Sequence, residues 1–292
     1  MNAPALFAIS TAIWGSTWLV ITWQLGIVPP EVSVAYRFAL AAALLAAWCS
    51  TTGRSLAFTP RQHLWLAAWG AMMFGLNYVG VYYAEALVSS GLVAVLFATI
   101  VFMSPIGMRV FHGTPLSGRM LVAATLGVAG VALLFLPELE SARDGGSAAL
   151  GIAYALGATA IATGGNLVAV RNHAKGLPLF PTTAWGMFYG ALVAAIVALA
   201  QGVTWSFDPR WPYVASLAYL AVFGSIFAFG AYLTLLKKVG AGSSAYVGVS
   251  TPVIAMLLST LFEGYRWSWP AMLGVALAIA GNVMALRTQK PH

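Results

Sequence analysis

The chain has 292 residues, of which 61% are hydrophobic and only 7% charged, against roughly 25% charged in a soluble domain. So little polar surface excludes a soluble fold of this length. The formal net charge of +7 does not point to nucleic acid, because the cations are scattered over short loops without a basic stripe or a binding motif. In chain order, ten apolar runs predict helices over 4–25, 31–50, 64–84, 90–109, 118–136, 149–170, 180–201, 213–235, 243–262 and 268–287. Each is close to the roughly twenty residues a helix needs to cross about 30 Å of hydrocarbon. Between the third and fourth, only Glu85 and the Val88-Ser89-Ser90-Gly91 turn interrupt a stretch too long for one helix. The fold expected is an all-α membrane protein. The single cysteine, Cys49, excludes an intrachain disulfide. Met-Asn-Ala-Pro at the start lacks the basic region of a secretory signal, so the first run is read as a retained helix.

Charge sorts by connecting segment. Arg54, Arg61, Arg109, Arg119, Arg171, Lys175, Lys237, Lys238, Arg287 and Lys290 fall in one alternate set. All seven acids, Glu31, Glu85, Glu138, Glu140, Asp144, Asp208 and Glu263, fall in the other, with Arg143, Arg210 and Arg266. Basic short loops stay cytoplasmic, which predicts both termini inside and the acidic loops outside.

The chain repeats itself. Trp14-Gly15-Ser16-Thr17 matches Thr163-Gly164-Gly165-Asn166 at an offset of 149, and Gly80-Val81-Tyr82 matches Gly230-Ala231-Tyr232 at 150. Phe111-His112-Gly113, Ser117 and Gly130 match Phe262-Glu263-Gly264, Ser268 and Gly281 at 151. Two repeats, 1–140 and 149–290, each with five predicted helices, form one unit in which the second is inverted relative to the first. Inverted repeats supply two pseudo-equivalent gates, the basis of alternating access.

The Trp14-Gly15-Ser16 element, the run from Gly242-Ser243-Ser244-Ala245 to Thr251-Pro252, Phe262-Glu263-Gly264 and the Gly274 to Gly281 stretch resemble the EamA repeat of the drug/metabolite transporter superfamily. The resemblance covers the chain as two tandem copies. The first copy departs where Val101 stands for Pro252 and His112 for Glu263. The aromatic-rich interior is similar to bacterial amino acid exporters of this group, including aromatic amino acid exporters. The resemblance implies an inner-membrane exporter of amino acids or related small metabolites with no cofactor. Drug or lipophilic-cation efflux is the alternative. Partners expected are a small-molecule substrate and membrane lipid. The chain is read as a monomer, with a homodimer through Gly127/Gly130 and Gly274/Ala278/Gly281 of the fifth and tenth helices as the alternative to packing within the chain.

No Gly-rich loop ending in Gly-Lys-Ser/Thr is present for ATP, and no acid/base or metal cluster lies within the spans for an enzyme. All seven acids lie near predicted helix ends or in loops, which favours facilitated diffusion or a coupling that uses no buried acid. Arg37, two turns into the second helix, either snorkels or pairs with Glu31 or Glu85, or clamps a substrate carboxylate. Tyr78 and Tyr82 share a helix face, with Asn77 adjacent; Trp14 and Phe97 are comparable cavity candidates. The resemblance implies a cavity walled by helices one, three, four, six, eight and nine, which adds Asn166, Phe227 and Tyr246. Pro105 and Pro252 are candidate hinges or static kinks in corresponding helices.

Overall fold

The computed structural model describes residues 1–113, 115, 117–141, 147–244 and 246–288, and among them every regular element is helical. Arg143, Asp144 and Lys290 of the charge pattern lie outside the described residues. Asn2 caps α1 (Ala3–Thr22) by accepting from the Ala5 amide at 3.0 Å, which satisfies one of the orphan donors of a helix start. α2 (Pro30–Thr51) opens on a proline, where the missing N–H costs nothing. Thr59 and Gln62 form a reciprocal capping box at the start of α3 (Pro60–Gly70).

α3 runs through a π-helical segment, Ala71–Leu76, into α4 (Asn77–Glu85). After a short turn come α5 (Ser90–Phe97), α6 (Ile100–His112) and α7 (Gly118–Ser141). The second part holds α8 (Ala148–Ala174), α9 (Leu179–Ala200) and α10 (Trp211–Tyr219). A second π-helical segment, Leu220–Phe227, leads into α11 (Ala228–Ser244), followed by α12 (Tyr246–Phe262) and α13 (Trp269–Thr288). Among the described residues, seven continuous apolar stretches are long enough to cross a membrane, and Gly118–Leu134, Tyr246–Phe262 and Trp269–Ala285 are shorter apolar helices.

Among the described residues, three expected helices are not uniform α-helix. The fourth breaks at Ala98–Thr99, where the Thr99 amide and hydroxyl both donate to the Leu96 carbonyl, at 3.0 and 2.6 Å. The third and eighth each contain a π-helical segment. In the eighth, the Ser225 hydroxyl donates to the carbonyl of Leu220, five residues back, at 2.9 Å and so supports the wider turn. The two π-helical segments fall at matching places in the repeat, as 71 plus the offset of 150 gives 221.

The packing partners follow the repeat as well. α2 lies along α9 and α7 along α13, and α4 packs on α8 while α1 packs on α11. Close backbone approach makes this possible. A Cβ built on Gly130 would stand 2.5 Å from the Gly274 carbonyl oxygen, and one on Gly274 would stand 2.5 Å from that of Gly130. The glycines of α7 and α13 therefore face each other within the chain. Leu121, Val128, Leu192, Ile196, Leu257 and Leu261 are exposed on the outside of the bundle, an apolar surface that water would not tolerate over such an extent.

Candidate functional site

A cavity of about 450 Å³ lies at the centre of the bundle, within the size range of small-molecule sites. Trp14, Thr17, Trp18 and Ile21 of α1 line it, facing Phe74, Asn77, Tyr78 and Val81 from the third helical stretch. Phe97 and Ala98 at the break of the fourth, Asn166 of α8, Phe229 and Tyr232 of α11, and Thr251 and Pro252 of α12 complete most of the wall. Among the described residues, no charged side chain lines it.

The aromatic wall is held in place. The Trp14 indole donates to the Gly224 carbonyl at 3.2 Å, a carbonyl within the second π-helical segment. Its ring packs edge-on against Phe229 and tilted against Tyr232, each with centroids 5.2 Å apart. Trp18 meets Phe97 at 5.4 Å. Polar groups are few. The Asn77 amide nitrogen donates to the Met73 carbonyl at 3.1 Å, while its side-chain oxygen is buried without a partner. A buried acceptor in that condition costs free energy until something donates to it.

Of the sequence candidates, Trp14, Asn77, Tyr78, Phe97, Asn166 and Pro252 come together on this cavity. Tyr82 is fully buried one turn beyond it and donates to Gln24 at 2.6 Å. Phe227 corrects the expectation: it is 58% exposed and stacks on Phe223 on the outside of the bundle. Phe229, two residues on and therefore about 200° around an α-helix, takes the inner place. Tyr246 at the start of α12 is not among the lining residues, and Gly248, Thr251 and Pro252 present the inner face instead. Pro105 lies within α6, beyond the helix break and off the cavity. The sequence reading missed Trp18, Phe74, Phe229 and Tyr232. Trp18 was recoverable, since it stands four residues from Trp14 on one helical face.

Arg37 also departs from the snorkelling alternative. It is 1% exposed, and its guanidinium carbon lies 4.6 Å from the centre of the Tyr78 ring and 5.1 Å from that of Phe38. Its Nε donates to Ser225 at a long 3.4 Å, and it forms no ion pair with Glu31 or Glu85. Tyr78 therefore stands between Arg37 and the cavity. Around Arg37, at the end of the bundle where α1 and α4 finish and α2 and α5 begin, lies a buried polar layer. Gln24, Glu31, Tyr82 and Glu85 belong to it. Ser90 joins it by donating to Glu263 through its amide at 3.1 Å and its hydroxyl at 2.5 Å. This distal layer sits at the helix ends, and none of its members is among the residues that line the cavity. It corrects the expected picture of acids beside water, because Glu31 and Glu85 are 1% and 6% exposed.

The same architecture recurs in known proteins. Protein PagO of Salmonella typhimurium is 24% identical over 98% of this chain and 93% of its own length. The uncharacterized inner membrane transporter YedA of Escherichia coli is 29% identical over 94% of this chain and 88% of its own. The uncharacterized transporter YoaV of Bacillus subtilis is 25% identical over 94% and 93%. A crystal structure of a protein at 19% identity superposes with a TM-score of 0.67 over 97% of this chain and 96% of that one, a likeness of fold. Residues 2–136 and 149–287 each match the EamA-like transporter family, and with nearly the whole length accounted for in two copies, the chain belongs to that family of membrane transporters.

Proposed function

We propose that this protein exports amino acids with bulky or aromatic side chains, or related small zwitterionic metabolites, through the central cavity by alternating access. The observation that carries the reading is the composition of the cavity wall. Trp14, Trp18, Phe74, Tyr78, Phe97 and Phe229 offer aromatic surface, and the polar contribution is neutral, with the Asn77 oxygen unpartnered. An aromatic side chain would pack edge-on or offset against such a wall. The ammonium of a zwitterion would donate to the Asn77 oxygen, and neutral hydroxyls and amides would meet the remaining polar atoms without a buried counter-ion.

Ten crossings in two inverted five-helix repeats accommodate this reading, with both termini in the cytoplasm of a bacterial inner membrane. Support comes from the charge pattern, the twofold family match and the repeat-related packing of α2 on α9 and α7 on α13. The inner-membrane placement draws on the name of YedA. Pro252 on the cavity wall and the break at Ala98–Thr99 would let the ninth and fourth stretches bend as gates.

One observation favours a second reading: aromatic faces without a charge also suit a lipophilic cation through cation–π contact. Counterflow in proteoliposomes separates the two. Labelled phenylalanine, tryptophan and leucine are expected to exchange in a protein-dependent way. Exchange of tetraphenylphosphonium with all amino acids inert would replace amino acid export by cation efflux.

A further inference from the structure

The distal layer holds a carboxyl group that the cavity does not use. Glu85 ends α4, is 6% exposed, and neither of its oxygens has a hydrogen-bond partner. The charged groups that act on it are Glu263, just after α12, and Arg37 of α2. Among the described residues, Tyr82, Glu263 and Glu31 of this layer are engaged. Tyr82 of the same helix donates to Gln24 of α1, and Glu263 accepts twice from Ser90 of α5. Glu31 of α2 lies 2.9 Å from the Tyr83 hydroxyl, and Tyr154 of α8 stacks on the Tyr83 ring. Arg37 keeps Nη1 unpartnered and buried.

Two groups built to pair thus share one layer without pairing. A guanidinium and a carboxylate normally meet in a fork, and an isolated buried carboxylate is costly. We propose that Glu85 is the proton-carrying group of the transport cycle, neutral while the distal layer is closed and ionised against Arg37 when that layer opens. When substrate enters the cavity, the O–H bond of the Glu85 carboxyl breaks, the electron pair stays on oxygen and the proton passes to water in the cavity. The carboxylate then accepts from the Arg37 guanidinium. After substrate leaves at the distal end, a proton from the water there returns to Glu85, the pair separates and the layer closes. Proton and substrate move in opposite directions, one for one. This rests on the transport reading above and names its driving ion.

The test uses the full chain in proteoliposomes with labelled L-phenylalanine. An acidic lumen is expected to drive accumulation, about tenfold for one pH unit and one proton. Glu85→Gln is expected to lose the response to the gradient, and Glu85→Asp to keep it. Gradient-driven accumulation that persists in Glu85→Gln, or wild-type uptake indifferent to the gradient, overturns the proposal. Infrared spectroscopy of the solubilised chain needs no substrate. A protonated-carboxyl band at neutral pH that vanishes on alkalinisation, is absent from Glu85→Gln and survives in Glu263→Gln is expected. No such band, or one unaltered in Glu85→Gln, overturns the assignment. If phenylalanine is not carried while that band is present, the substrate reading fails and the proton site stands.

Discussion

The guanidinium of Arg37 lies over the ring of Tyr78, 4.6 Å from its centre, and Tyr78 forms part of the cavity wall while Arg37 does not. The cation therefore reaches the cavity through an aromatic ring. A desolvated contact of this kind is worth about 2 kcal/mol. Removing the ring removes a wall; altering the cation only loosens it.

Tyr78→Ala is accordingly expected to raise the half-saturating substrate concentration about tenfold, equivalent to about 1.4 kcal/mol. Arg37→Lys keeps the charge behind the ring and is expected to change it by less than about threefold on the same scale. Counterflow kinetics on both variants check this. A larger effect for Arg37→Lys than for Tyr78→Ala would restore Arg37 as a direct carboxylate clamp.

Trp14 is fixed by the Gly224 carbonyl. Trp14→Phe keeps the aromatic surface and loses the hydrogen bond, at a net cost of about 1 kcal/mol. A lower melting temperature and weaker substrate half-saturation are expected together. Loss of one without the other would separate the π-helical anchor from the binding wall.

Helix approach gives a sharper stability contrast. Gly130→Ala places a Cβ 2.5 Å from the Gly274 carbonyl oxygen, against backbone that cannot step aside. A loss of about 1–3 kcal/mol is expected from the overpacking. Gly157 has open space where its Cβ would stand, so Gly157→Ala is expected to be neutral or stabilising by up to about 1 kcal/mol through helix propensity. Thermal denaturation in detergent compares the two.

Much of this was legible in the sequence because hydrocarbon thickness fixes helix length. The turn between Glu85 and Ser90 fell where the apolar stretch grew too long for one crossing, and the repeat offsets matched regions that the fold packs as related pairs. The π-helical segments were not legible. The resemblance named Phe227 through its helix alone, without a face, and just after the π-helical segment Leu220–Phe227 it is Phe229 and Tyr232 that line the cavity. The burial of Glu85 was hidden for a different reason. A helix-end position along the chain says nothing about whether Arg37 and the Ser90–Glu263 contact lie over it from other helices.

Outside the spans, a short-range pair sets one pH effect. Arg210 donates to the Asp208 carboxylate at 2.8–3.0 Å and holds its carboxyl below the usual carboxylate range. A depressed folded-state value means that the contribution is complete above the unfolded value and is lost as pH falls through the folded one. With Arg210 exposed and screened, Asp208→Asn is expected to leave the melting temperature at neutral pH nearly unchanged. Wild type and variant are expected to converge fully in acid, and a melting curve against pH checks both.

Asn77 offers the most direct trial of the cavity as the substrate site, because its side-chain oxygen is buried and unpartnered beside the aromatic wall. Asn77→Leu keeps the branched heavy-atom outline and removes the acceptor. In counterflow of labelled L-phenylalanine, the variant is expected to need at least about tenfold more substrate for half-saturation, or about 1.4 kcal/mol. The same half-saturation in variant and wild type would contradict substrate recognition in this cavity.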